Sequence, residues 1–129
     1  MTGQLLDTNA ALIALTDPDS LSAKVRKALL VGPNILSTIS YWEVVIKAMK
    51  GTLNVGDPRA WWRDALDQLA ATPLALRPDH VAELYPLPAH RKDPFDRILI
   101  AQAMAEGLTL VTIDSEISLY ASPRLRVIS

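Results

Sequence analysis

Short apolar runs that stop on a polar residue, each followed by a longer helical stretch, recur along this chain. No other feature constrains its fold as tightly. Gln4-Leu5-Leu6 stops at Asp7, and Asp7-Thr8-Asn9 offers capping side chains before a helical run over 10–15. A turn over 16–20 leads into a helix over 21–30, which Gly32-Pro33-Asn34 stops. A second apolar run over 35–39 reads as a strand. Ser40-Tyr41-Trp42-Glu43 then opens a helix that ends at Gly51. Asp57-Pro58 starts another helix, through Leu69. A strand is read over 74–76, a short helix over 78–85 and a loop over 86–92. Asp93-Pro94-Phe95-Asp96 opens the strongest helix, over 97–106, closed by Gly107. The run 108–113 is a buried-type strand ending at Asp114, and a short helix near 117–120 and a strand over 125–128 follow. Alternation of this kind specifies the α/β class. The expected architecture is a three-layer α/β/α sandwich with a mostly parallel central sheet.

The chain has 129 residues, enough for a single domain over 1–129. A chain of this size buries roughly 65–70% of its unfolded surface. Half of its residues are hydrophobic, which excludes a disordered composition. Cysteine is absent, removing disulfides, thiolate zinc sites, iron–sulfur clusters and cysteine nucleophiles together. Thirteen Lys and Arg against fourteen Asp and Glu leave a net charge of −1, which argues against gripping nucleic acid by bulk positive charge. It leaves room for a site that handles phosphates locally. The start Met1-Thr2-Gly3-Gln4 has no signal-peptide pattern, and no run approaches the ~20 apolar residues of a membrane span. A cytoplasmic protein with no membrane partner is expected.

Sites in open α/β sheets gather outside the carboxyl ends of the strands, so the acids are judged by position. Asp7 and Asp114 directly follow strands, Glu43 lies on the first turn of the next helix, and Asp93 and Asp96 open the helix before the 108–113 strand. Each has an ordinary structural role available. Asp7 and Asp114 suit helix caps, Ser40 and Glu43 a capping box, and Asp93 an N-cap with Pro94 at the first helical position. Their shared edge is harder to explain singly, because carboxylates crowded together repel unless a cation joins them. Hard cations such as Mg²⁺ and Mn²⁺ favour an all-oxygen ligand set. Such ions lower the pKa of a bound water and hold a scissile phosphate.

The chain resembles the PIN-domain ribonucleases, and more narrowly the VapC toxins of bacterial type II toxin–antitoxin systems. Four motifs carry the resemblance in order. They are Leu5-Leu6-Asp7-Thr8-Asn9, then Ser37-Thr38-Ile39-Ser40-Tyr41-Trp42-Glu43 with Lys47, then the segment from His90-Arg91-Lys92-Asp93-Pro94-Phe95-Asp96-Arg97 to Ala103, and finally Leu108 to Asp114 with Tyr120. The resemblance implies cleavage of RNA phosphodiesters, dependent on Mg²⁺ or Mn²⁺, by metal-activated water. Asp7, Glu43, Asp96 and Asp114 match the family's acidic positions, with Asp7 and Asp96 as the most direct ligands. Asp93 is carried either as a further ligand or as the helix cap. Thr8 and Thr112 are expected to orient carboxylates, and Arg97 to pair with an acid or a phosphate. The family also implies a homodimer and inhibition by a cognate VapB-like antitoxin. Ile117 departs from the family habit of an aromatic there.

Lys47, Lys50, Arg91 and Lys92 border the acidic edge and are candidates to track an RNA backbone. His80 and His90 read as surface histidines. Adjacent Trp61 and Trp62 cannot both face inward on one helix, so one should border exposed apolar surface. Trp42 reads either as core or as part of a partner groove. A haloacid-dehalogenase-type phosphatase needs a second Asp where Asn9 stands. A response-regulator receiver needs an acidic pair and a late Lys that are not seen. A PIN fold kept as a non-catalytic interaction module remains the other reading.

Overall fold

The computed structural model describes residues 2–129. Strand β1 (Gln4–Leu6) leads through helix α1 (Thr8–Thr16), a 3₁₀ turn (Pro18–Ser20) and α2 (Ala23–Val31) to β2 (Asn34–Ser37). Helices α3 (Thr38–Met49) and α4 (Pro58–Gln68) come next, then β3 (Ala71–Leu74), α5 (Pro78–Ala82) and α6 (Pro94–Glu106). Strand β4 (Thr109–Val111), a 3₁₀ turn (Ile117–Tyr120) and β5 (Val127–Ile128) complete the order. The five strands form one sheet in the order β3-β2-β1-β4-β5, and every pairing is parallel.

The period-2 alternation of a strand sends neighbouring side chains to opposite faces. Leu5, Ile35 and Leu110 join one core cluster with Ile98, Leu99 and Ala103 of α6. Leu6 and Leu36 point the other way, into a cluster with Ala11 of α1 and Ala65 of α4. Val111 meets Val25 of α2 on that second side. The expected α/β/α layering with a parallel sheet is thus what the chain forms. At the mouth of β1 the backbone passes very close to its neighbour. Gly3 has φ 125°, and a Cβ there would lie 2.6 Å from the Pro33 carbonyl oxygen.

Four strands differ from expectation; β4 and β5 are only shorter than the runs 108–113 and 125–128. The run 35–39 is strand only to Ser37, because the Ser37 hydroxyl accepts the Ile39 N–H at 3.0 Å and starts α3 there. Glu43 therefore lies in the second turn of α3, and no Ser40–Glu43 capping box forms. The third strand covers Ala71–Leu74 rather than 74–76. Pro73 hides it from the sequence, since proline is tolerated in a strand only at a sheet edge, and β3 is the edge. Trp61 and Trp62 are both partly buried against the α1–α4 cluster, and Trp62 stacks on Tyr41 at 5.0 Å between centroids. The exposed tryptophan is Trp42, which meets Phe95 edge to face.

Candidate active site

The chain adds β2 and β3 on one side of β1, then returns to place β4 and β5 on the other. The switch point of the sheet lies between β1 and β4, where α/β sheets open a crevice at their carboxyl ends. Leu6 is in register with Val111, so the residues after both strands emerge side by side. Asp7 extends the contact, its N–H donating to the Val111 carbonyl at 2.9 Å.

Asp7 caps α1. One carboxylate oxygen accepts the Ala10 N–H at 2.7 Å, and the other accepts the Thr112 hydroxyl. The side chain is almost wholly buried, at 4% exposure. Burial pushes its pKa up to about 6 against the pull of these two hydrogen bonds, and the charges of Asp96 and Asp114 add to the rise. Thr112 also accepts the Asp114 N–H at 3.0 Å, so one hydroxyl ties Asp7 to the turn bearing Asp114.

Glu43 enters from α3, also 4% exposed. Its Oε2 takes the Lys47 ammonium at 2.9 Å, one helical turn on. Its Oε1 is buried and has no hydrogen-bond partner among the described residues. Asp96 stands at the third position of α6. Desolvation raises its pKa, Arg91 opposes the rise, and Asp93 and Glu43 reinforce it. Asp93 is the N-cap of that helix, accepting the N–H groups of Phe95 at 2.8 Å and Asp96 at 3.2 Å. Asp7 feels the charges of Asp96 and Asp114, and Asp96 that of Glu43, so the expected acids share one edge, although Glu43 and Asp96 come from helices and Asp7 and Asp114 from strand ends; no three of them bring ligand atoms within 4.8 Å of one another. The donors are all carboxylate oxygens, one is buried without a partner, and two of the acids have raised pKa values. Such a set fits a hard divalent cation.

Several neighbours behave differently from expectation. Thr8 donates to Ser40 Oγ on α3 at 2.9 Å, so its hydroxyl proton goes to a serine and not to a carboxylate. Arg97 pairs with the Pro88, Arg91 and Leu87 carbonyls at 2.9, 3.2 and 3.2 Å, fastening the loop before α6 instead of an acid. Arg91, read as a backbone-tracking cation, reaches into the cluster. It bonds Asp96 at 2.9 Å, Asp114 at 2.6 Å and Glu116 at 2.8 Å. Glu116 was not singled out in the sequence; its signal is the spacing Asp114-x-Glu116 opposite a basic loop. His80 is fully buried, not superficial. Its Nδ1 accepts the Arg77 N–H at 3.0 Å, leaving Nε2 to donate to Glu106 at 2.9 Å. Asp79, His80 and Glu106 bring ligand-type atoms within 4.8 Å of one another. The Arg77 guanidinium already bonds both carboxylates there.

Residues 5–122 match the PIN domain family, and the chain belongs to it. Ribonuclease VapC22 of Mycobacterium tuberculosis is 28% identical over 126 residues, covering 96% of each chain. A toxin–antitoxin complex from Klebsiella pneumoniae superposes with a TM-score of 0.64 at 26% identity, over 98% of this chain and 96% of that one. VapBC2 from Rickettsia felis, bound to a DNA fragment from its promoter, gives 0.69 at 19% identity, over 99% and 98%. The PIN fold and the VapC-type resemblance carried by the four motifs both hold. Among the described residues no helix is long and apolar enough to cross a membrane.

Proposed function

We propose that the chain is a Mg²⁺- or Mn²⁺-dependent endoribonuclease acting as the toxin of a type II toxin–antitoxin pair. One observation carries the reading: the buried, unpartnered Oε1 of Glu43 lies beside a cluster of carboxylates. Leaving a charged oxygen unpaired costs several times the net gain of an ordinary hydrogen bond. Lys47 and Arg91 already neutralise part of the cluster, and a divalent cation is the partner that would satisfy the one oxygen they leave open.

Asp7, Glu43, Asp96 and Asp114 hold the cation, with Asp93 mainly capping α6. When bound, the divalent ion supplies a Lewis acid that activates water and neutralises phosphate charge. Thr112 fixes the Asp7 carboxylate in one orientation, and Lys47 fixes Glu43. Lys50 and Lys92, on the helix and loop that carry Glu43 and Asp93, are the cations assigned to the RNA backbone, with Lys47 held on Glu43. Hydrolysis with departure of the 3′ oxygen leaves a 5′-phosphate and a 3′-hydroxyl. The near-neutral total charge suits an enzyme that binds RNA weakly in bulk and selectively at this edge. The VapBC2 assembly from Rickettsia felis and the toxin–antitoxin complex from Klebsiella pneumoniae support a VapB-like antitoxin as partner, and action on RNA beside that partner is assigned to the cytoplasm. The exposed Trp42, with Leu76, Val81 and Leu84 around an apolar hollow of about 240 Å³, supports a homodimer.

Purified protein incubated with RNA tests the reading. Cleavage is expected with Mg²⁺ or Mn²⁺, none with chelator, and the products should carry 5′-phosphates. Cleavage that survives chelation overturns the metal chemistry, and intact RNA with metal present favours the non-catalytic module.

A further inference from the structure

The loop before α6 is anchored at its backbone on both sides of Arg91. The Tyr120 hydroxyl accepts the Arg91 N–H at 2.8 Å and donates to the Pro88 carbonyl at 2.8 Å. Arg97 holds the Arg91 carbonyl from the other side at 3.2 Å. From that base the Arg91 guanidinium spreads its Nε, Nη1 and Nη2 over three different carboxylates, those of Asp96, Glu116 and Asp114. The planar fork of arginine, charged at any working pH, is suited to this bridging.

These bonds commit particular oxygens. Arg91 takes Oδ2 of Asp96 and Oδ2 of Asp114. The remaining Asp114 oxygen accepts the Glu116 N–H at 2.9 Å. Glu43 Oε1, by contrast, is unpartnered. A cation can therefore meet Glu43 without displacing anything, whereas at Asp114 it meets an oxygen that already has a positive partner.

Resting on the metal-site reading above, we infer that Arg91 is a built-in competitor of the divalent cation, occupying the Asp96 and Asp114 side of the cluster and setting the concentration at which metal binds. A guanidinium and a metal ion cannot both take the same oxygen, so holding one weakens the hold on the other. The anchored backbone keeps the guanidinium at the same edge after it yields those oxygens.

Calorimetric titration of Mn²⁺ into the full chain at pH 8, with wild type, Arg91→Gln and Arg91→Lys, tests the inference. Arg91→Gln should bind Mn²⁺ roughly tenfold more tightly than wild type. Arg91→Lys, which keeps the charge and loses the fork, should fall between the two. Equal or weaker binding by a folded Arg91→Gln overturns the competition while wild-type binding leaves the metal site standing. If neither protein binds Mn²⁺, the metal site itself fails and the competition with it. Should Arg91→Gln not fold by circular dichroism, Arg91→Lys decides: tighter binding than wild type supports the inference, and equal or weaker binding overturns it.

Discussion

Asp7 shows how one side chain can serve both the fold and the site. Its carboxylate caps α1, yet burial raises its pKa from 3.8 to about 6. An acid whose folded pKa exceeds its unfolded value is stabilised by its proton. Stability therefore falls as the pH rises from about 4 to about 6 and stays lower above. At about 1.4 kcal/mol per pKa unit the loss is at most about 3 kcal/mol. Asp7→Asn keeps a capping oxygen and cannot ionise. In chelator it should melt higher than wild type at pH 8 and converge with it at pH 4, while losing RNA cleavage. Parallel melting curves across that range would remove the account of Asp7. Thr112 acts on the same carboxylate without belonging to the acid set. Thr112→Val should slow cleavage roughly 10–100-fold, and Thr112→Ser should restore most of it. A valine variant with the wild-type rate would show that the hydroxyl orients nothing of consequence.

The helices that carry the other acids depend on how they begin. Helix α3 starts at Ser37, whose fully buried hydroxyl accepts the Ile39 N–H and donates to Gln102 of α6 at 2.6 Å. That hydroxyl sets where Glu43 falls on the helix and ties the two acid-bearing helices together. Ser37→Ala should lose ~1 kcal/mol for the cap and ~1–3 kcal/mol for the unpaired Gln102. Urea unfolding measures this, and a cost below about 0.5 kcal/mol would show that the cap and the cross-link matter little. Helix α6 is set by Asp93 and Pro94 at its start and by Gly107, at φ 67°, at its end. Both ends were legible in the sequence because capping is local chemistry. The start of α3 was not, because Ile39 suits a strand as well as a helix, and the Ser37 cap decides between them.

Across the whole molecule, the sheet order brings motifs scattered along the chain to one edge. The apolar face around Trp42, 56% exposed, predicts self-association of the isolated chain. Light scattering should find a dimer for wild type and a monomer for Trp42→Glu, and a monomeric wild type would count against the dimer. The repeating strand–helix pattern, Asp7, Asp96 and Asp114 at element boundaries, and the Asp93-Pro94 cap were all readable along the chain. Periodicity and capping depend on neighbours within a few residues, so a sequence contains them. Other features were not contained there: the buried state of His80, the edge strand through Pro73, the Thr8–Ser40 bond and the Arg91 bridge. The orphaned oxygen of Glu43 also belongs with these. Each depends on which elements the parallel sheet brings side by side, and on how much water that leaves around a charge. Residue type and spacing nominated five carboxylates, and the family resemblance singled out four of them. Only tertiary structure decided their desolvation, their partners and the arginine that stands among them, because burial and electrostatics act through space rather than along the chain.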